Sequence, residues 1–598
     1  MHNAVLAGAA VALCAIVLVC RLRVGFAVVV VAMLLVPGSL VLHNPITSHA
    51  LFTRVLVVAL AIRLGYEIKR GTVSASVLRW TTVHTAFAVL LACTFVAGVV
   101  LADTTFEPRT ITASYLLVVD PFVFFVVALA CVRAIGDLRW CLGLVTVALL
   151  GTAGIGIIEH ATGDAWGHFL FGKIVPDAVA SDPLTSRFGH LRVHGGAEYP
   201  VQYAWVIAMM LPALVAWFGT KRMRLAVWLP LTIATVGVVV LAEYWSYSRT
   251  GFAAVGLTAL IVAVAARERR LIVLTGAGLA LGVLLFVSIA GLQHGYLGLP
   301  SGPVDVRTAR VPIILQIAAL HPLHGIGIGG LATVGLPNTD STYLQLYGEA
   351  GLLGLVSGVA LLVCCLVCCA RGLRATDRVS RLAAAAAVSG SLAMLVGGGA
   401  YDALRSLSSS RPFFLLVGIG VVAVEQAIGP LPGLAKRPRL VLAGGITAAA
   451  AAGVALLAVA PTHYATQYEF RTVSAFRELL PTDPVTVGTT YINSICGVVD
   501  GVGTEHRSSQ LDCRDPQLAA GVGTLRIQAS SADDVRTLVS DVRTSVARLP
   551  VDFALDVQAP LLSGRETGFA WAPFWLPAGV LLALVLLPVG VTRTDGGR

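Results

Sequence analysis

Four segments of this 598-residue chain set arginine or acid beside glycine or proline, each at the edge of a long apolar run. LRVHGGAEYP carries Arg192 and His194, YWSYSRTGF carries Ser248 and Arg249, and VDVRTARVP carries Arg307 and Arg310. The fourth, HPLHGIGIGGLATVGLPNTDSTYLQLYGEAGLLGLV, opens at His321, passes His324, Gly325, Gly327 and Asp340, and re-enters an apolar run through Tyr343 and Glu349. A guanidinium is a planar fork of donors that matches phosphate oxygens and stays charged beside a membrane, so converging arginines suit a diphosphate. Glycines let backbone N–H groups approach the same anion. Asp340 is the carboxylate of this last segment, and His194, His321, His324, Tyr343 and Glu349 are secondary polar candidates. Each motif also has a plainer reading: a single external arginine anchors topology or a lipid headgroup, and GIGIGG eases a tight turn.

The elements that must position these residues are membrane helices. Hydrophobic residues make up 57% of the chain and charged ones 12%, with a mean hydropathy of +0.84. Crossing a bilayer core takes about 20 helical residues. About fifteen runs reach that scale, centred on 4–19, 24–42, 51–66, 83–101, 114–132, 141–158, 201–218, 226–241, 251–266, 271–290, 351–369, 382–400, 413–428, 440–460 and 572–590, the third and thirteenth being the weakest. The net charge of +10 does not point to nucleic acid, because the basic residues sort by loop. Just over half of them fall in alternate loops, among them Arg21 and Arg23, Lys69 and Arg70, Lys221 and Arg222, and Arg371 to Arg381. The positive-inside rule makes those loops cytoplasmic, the amino terminus external and the carboxyl terminus internal. The first run lacks a basic leader and a cleavage site, so it reads as a retained helix of a multi-pass cytoplasmic-membrane protein.

Three external segments exceed what a connection needs: 159–200, 291–349 and 461–568. In the third, YATQYEFRT from Tyr464 alternates like a half-buried strand, TLRIQA from Thr524 reads as a second, a helix is expected over 532–549, and FALDVQA from Phe553 supplies another strand. The expected fold is an all-α polytopic membrane protein with a small extracytoplasmic α+β domain between its last two helices. Its parts are a membrane domain at 1–430, a tethering helix at 431–460, the outer domain at 461–568, and a last helix and tail at 569–598. Cys496 and Cys513 both fall in the outer segment, where an oxidising compartment permits a disulfide. CCLVCC at 364–369 lies inside a span without His or carboxylate partners and reads as packing, so no metal site is expected.

In their order, the motifs between Arg187 and Val356 resemble those of the O-antigen ligase and polymerase superfamily of bacterial membrane glycosyltransferases. An Arg-x-x-Gly turn before a helix is similar to LRVHGGAEYP, Ser-Arg-Ser/Thr-Gly to SRTG from Ser248, Arg followed by His-Pro-Leu-x-Gly-x-Gly to Arg310 with HPLHGIGIG, and the closing Tyr-Leu and Glu-x-Gly-Leu-x-Gly pattern to DSTYLQLYGEAGLLGL. Where the ligase branch often has His-Asn, this chain has Asp340 and Ser341, which moves the expected base to Asp340 and leaves His321 and His324 as substitutes. APTHYAT at Ala460, the strand-helix-strand pattern and the proline-containing return to a last span resemble polysaccharide co-polymerases, the chain-length determinants.

The resemblance implies glycosyl transfer from a polyprenyl-diphosphate-linked glycan to a glycan acceptor on the outer membrane face, with no nucleotide sugar, cofactor or required metal. Arg192, Arg249, Arg307 and Arg310 with Gly325 and Gly327 would hold the diphosphate, Arg310 and Asp340 would act in catalysis, and glycan-export or chain-length machinery would be partners. No GxxxxGK[ST] P-loop is present. A transporter or flippase of lipid-linked glycans, or a noncatalytic assembly scaffold, are the alternatives; no inverted repeat favours the former.

Overall fold

The computed structural model describes residues 2–36, 41–42, 50–97, 108–166, 186–187, 190–197, 199–221, 224–266, 314, 322–333, 341–399, 401–429, 464–471, 510–517, 522–529, 537, 540 and 562–565. It divides into two units, 1–450 with 571–598, and 451–570. The first is helical apart from two short antiparallel pairs, β1 (Val41–Leu42) with β2 (Ala50–Leu51) and β3 (Ser186–Arg187) with β4 (His190–Leu191); its helices are α1 (His2–Val19), α2 (Leu22–Leu35), α3 (Phe52–Lys69), α4 (Thr82–Phe95), α5 (Pro108–Ile135), α6 (Leu138–Thr162), α7 (Pro200–Thr220), α8 (Leu225–Trp245), α9 (Arg249–Ala266), the single turn α10 (Gly330–Thr333), α11 (Thr342–Ala370), α12 (Arg378–Gly397) and α13 (Leu407–Ile428).

Local chemistry sets the helix ends. Asp137 accepts from the Trp140 N–H at 3.1 Å and Asp377 from Ser380 at 2.8 Å, satisfying amides that have no partner inside the helix. Pro200 opens α7, where its missing N–H costs nothing, and Gly163 closes α6 at φ 75°. Among the described residues seven helices are long and apolar enough to cross a membrane. Large apolar side chains are exposed on these and on other helices of the unit, Val19, Ile62, Val147, Val227, Ile233 and Val367 among them. A helix apolar all round and not covered by protein needs lipid around it, and these faces make the chain a helical membrane protein.

The first unit is built around α7, α12 and α13, which pack on one another, while α8 lies at the periphery. Close approach depends on small residues: Ala383 to Ala387 on α12 are all fully buried, and a Cβ added at Gly420 of α13 would come within 2.5 Å of the Ala387 Cβ and 2.7 Å of the Cys369 Sγ. Cys369 of CCLVCC therefore sits at a helix–helix contact.

Two expected spans have different limits. The run from 24 gives a helix that stops at Leu35, and the run from 351 belongs to a helix that begins at Thr342. The weak third span is a helix, α3, although its charges keep it from counting among the seven. Three of those charges are paired, Arg54 with Asp120 and Arg63 with Glu67. The runs at 271–290, 440–460 and 572–590 lie outside the described residues.

The second unit contains a four-stranded antiparallel sheet ordered β6-β7-β5-β8, with β5 (Tyr464–Arg471), β6 (Gln510–Gln517), β7 (Val522–Ala529) and β8 (Leu562–Arg565). Tyr464 is opposite Ala529 on one side and Arg565 on the other. β6 has no clean alternation; its register shifts between Arg514 and Gln517, around Pro516, which an edge strand tolerates. The helix expected over 532–549 and the strand from Phe553 fall almost wholly outside the described residues.

Candidate functional site

The glycine-rich segment docks onto a broken helix. Gly351 has φ 59° and ψ −154°, a conformation open essentially to glycine alone, and it interrupts α11 between Ala350 and Leu352. Carbonyls and amides freed by the break pair with the turn at 322–327: Ile326 N–H donates to Gly348 at 3.0 Å, Gly327 N–H to Glu349 at 2.9 Å, and the Leu352 and Leu353 N–H groups to Pro322 and Leu323. A Cβ at Gly325 would lie 2.5 Å from the Glu349 carbonyl carbon, and one at Gly351 would lie 2.4 Å from that of Leu323. Non-helical backbone at membrane depth is tolerated when protein buries and pairs it, as here. The structure thus gives Gly327 a role other than anion binding, since its N–H is spent on α11, and it gives Gly325 the role of permitting contact.

The break presents Glu349. Its carboxylate takes Arg405 Nη1 at 2.9 Å, the Gln345 amide, and the Gly329 N–H that the docked turn aims at it. Arg405 belongs to the turn between α12 and α13, and its Nε lies 3.8 Å from Asp402 of the same turn. That turn is fastened to the start of α11: Thr342 N–H donates to the Gly398 carbonyl at 2.8 Å, Ser341 Oγ does so at 3.1 Å, and the Thr342 hydroxyl receives the Ala403 N–H at 2.7 Å. Tyr343 donates its hydroxyl to the Leu395 carbonyl, which makes it a brace for α12. His324 lies in the docked turn, its backbone nitrogen 2.5 Å from where a Gly351 Cβ would stand.

Arg192 and His194 occupy a separate turn, built on Glu159 at the end of α6. The Glu159 carboxylate, fully buried, receives three backbone N–H groups, from Trp166 at 2.8 Å, His194 at 2.9 Å and Gly195 at 2.8 Å. Arg192 Nε donates to the Ser246 carbonyl at 3.0 Å and Val193 N–H to Trp245 at 3.2 Å, so this turn also satisfies the open end of α8. His194 Nδ1 is 2.9 Å from the Ala197 carbonyl.

In SRTG, Ser248 accepts the Gly251 N–H at 3.3 Å as α9 begins at Arg249, and Gly251 leaves no room for a side chain between Ala204 and the Glu243 carboxylate. Glu243 is fully buried, and among the described residues neither of its oxygens has a hydrogen-bond partner. At this same end, Arg411 grips Asp120 bidentately, Nε donating to Oδ1 at 3.0 Å and Nη2 to Oδ2 at 2.9 Å, while Arg54 and Thr53 of α3 complete the cluster. Reading the sequence singled out none of Glu159, Glu243, Arg405 or Arg411 as a site residue. The available signal was an ionisable residue within or beside an apolar run.

One helical turn of α7 joins these parts. Tyr203 packs 2.7 Å from where a Gly195 Cβ would stand, Ala204 meets Gly251, Trp205 stacks near Tyr401 and against Gly397, and Gln202 accepts the Ser408 hydroxyl at 3.1 Å. Arg307, Arg310, His321 and Asp340 lie outside the described residues, as does the side chain of Arg249. Among the described residues no group of three or more His, Cys, Asp or Glu could hold a metal. No family model and no curated protein matches the chain.

Proposed function

We propose that the chain is a membrane glycosyltransferase that moves a glycan from a polyprenyl-diphosphate carrier to a glycan hydroxyl, polymerising or ligating repeat units on the outer face of a cytoplasmic membrane. The observation that carries this reading is the α7 turn at 202–205, which touches the LRVHGG turn, the SRTG turn and the α12–α13 turn that holds the GEAG helix break. Motifs spread over more than a hundred residues of sequence thereby meet at one end of the bundle, as a single reaction centre requires. Arginine suits the charge that develops on a departing diphosphate, and carboxylates suit the incoming hydroxyl. The architecture proposed is about fifteen spans with the amino terminus outside, and an outer α+β domain, tethered at both ends, that regulates chain length.

The full chain in liposomes, given a synthetic polyprenyl-diphosphate oligosaccharide, is expected to lengthen the glycan and release polyprenyl diphosphate without nucleotide sugar or added metal. Movement of the intact lipid-linked glycan between leaflets without bond exchange supports a flippase instead, and neither event leaves a scaffold.

A further inference from the structure

Asp402 stands on the turn between α12 and α13, and with Thr342 and Arg405 it forms the polar side of a small cleft whose other walls are apolar: Phe87 and Leu90 of α4, Val118 and Pro121 of α5, and Phe414 of α13. The space suits a hydroxyl or about one water molecule, not a lipid chain.

The charges around it do not balance. Arg405 is the cation between two carboxylates and serves them unequally. Glu349 holds Arg405 Nη1 at 2.9 Å, together with an amide side chain and a backbone N–H, and is nearly inaccessible. Asp402 has the Arg405 Nε at 3.8 Å and the Thr342 hydroxyl at 3.4 Å, and its side chain remains 23% exposed, which leaves it open to a small reactant. The α4, α5 and α13 walls bring no charge to the cleft; the groups that face Asp402 are Arg405, Thr342 and, beside it, Tyr401 and Glu349. A carboxylate that is weakly compensated and reachable is disposed to take a proton, whereas Glu349 is disposed to keep Arg405 in place.

We infer that Asp402 is the proton acceptor for the attacking hydroxyl, and that Glu349 is a positioning residue acting through Arg405. This rests on the transferase reading above. The acceptor O–H bond breaks as its proton passes to an Asp402 oxygen, the freed oxygen forms a bond to the anomeric carbon, and the bond from that carbon to the diphosphate oxygen breaks with its electron pair leaving on the diphosphate. Asp402 then returns the proton to water. Burial pushes the Asp402 carboxyl above the usual carboxylate range, partly countered by Arg405 and by the Thr342 hydroxyl. The base form is lost as pH falls through that raised value, so the acid limb of the rate is displaced toward neutral pH.

The test is the pH profile of transfer by the full chain in liposomes. Asp402→Asn retains the size of the side chain and removes an excess charge, so the fold is expected to survive. Transfer at neutral pH is expected to fall about a hundredfold or more, and the residual rate to lose the acid limb; Asp402→Glu is expected to recover part of the rate with the limb moved. Transfer by Asp402→Asn at the wild-type rate overturns the assignment, and so does a slowed variant that keeps the wild-type limb. Loss of the limb in Asp340→Asn but not in Asp402→Asn gives the role to Asp340. A wild-type chain that transfers nothing overturns the transferase reading and this assignment with it, a result distinct from failure of the variant alone.

Discussion

At the scale of single residues, the bundle carries charges that only their partners make tolerable. Arg411 is 2% exposed and Asp120 8%. Their pairing, with Arg54 also on Oδ2, repays part of a desolvation cost of several kcal/mol per ion. Removing the shared carboxylate leaves two guanidinium groups facing each other without a counter-charge. Asp120→Ala is therefore expected to cost about 3–5 kcal/mol, seen as a large drop in the melting temperature of the detergent-purified protein. A melting temperature unchanged by the substitution would show that the network does not hold α3, α5 and α13 together. Glu243 is the opposite case. Among the described residues its carboxylate has no hydrogen-bond partner, and Gly251 keeps the space in front of it clear.

At the scale of elements, the break in α11 and the turn at 322–327 depend on each other. Alanine at 351 would favour a continuous helix, cannot easily adopt φ 59°, and would push its methyl group into the Leu323 carbonyl. Gly351→Ala is expected to destabilise the docked turn by at least about 1–3 kcal/mol. Hydrogen exchange at Ile326 and Gly327 reads this directly, because their N–H groups are donated to the Gly348 and Glu349 carbonyls. Faster exchange at these two amides with unchanged protection in α7 is the expected result. Undisturbed exchange at both would mean that the turn holds without the break.

At the scale of the whole molecule, the second unit is expected to tune the product, not to make the bond. Among its described residues are four antiparallel strands, and no described residue of the proposed reaction centre belongs to it. A chain truncated after Arg439 is expected to retain glycosyl transfer but to give a different product-length distribution. Identical lengths would leave the domain without that role, and loss of transfer in a folded truncation would put part of the active site within it. The second unit should also contain a Cys496–Cys513 disulfide, worth about 3 kcal/mol for a loop of this size. Mass spectrometry of protein isolated under non-reducing conditions should find the two peptides linked, and two free thiols would exclude the bond. Cys513 lies on β6, opposite Leu525, and Cys496 is outside the described residues.

The sequence by itself determined the class of molecule and most of its described helices, because long apolar runs have few alternatives in a bilayer: every described helix but the single turn α10 overlaps a run read from hydropathy. It also marked the polar segments where those helices turn. Tertiary structure decided what the marked residues do. GIGIGG reads as an anion cradle by spacing, yet Gly327 spends its N–H on the Glu349 carbonyl, and the turn serves a break that no local pattern announces, since Gly351 looks like any helix-edge glycine until Leu323 is packed against it. Arg192 reads as a phosphate ligand, and its Nε donates to the Ser246 carbonyl at the end of α8. Arg405, Glu349, Asp402 and Thr342 are up to 63 positions apart, and nothing in their neighbours couples them; the packing of α11 against the α12–α13 turn does. Hydropathy is a property of each segment, whereas an ion pair or a shared cleft is a property of two, and the second is settled only when the helices are brought side by side.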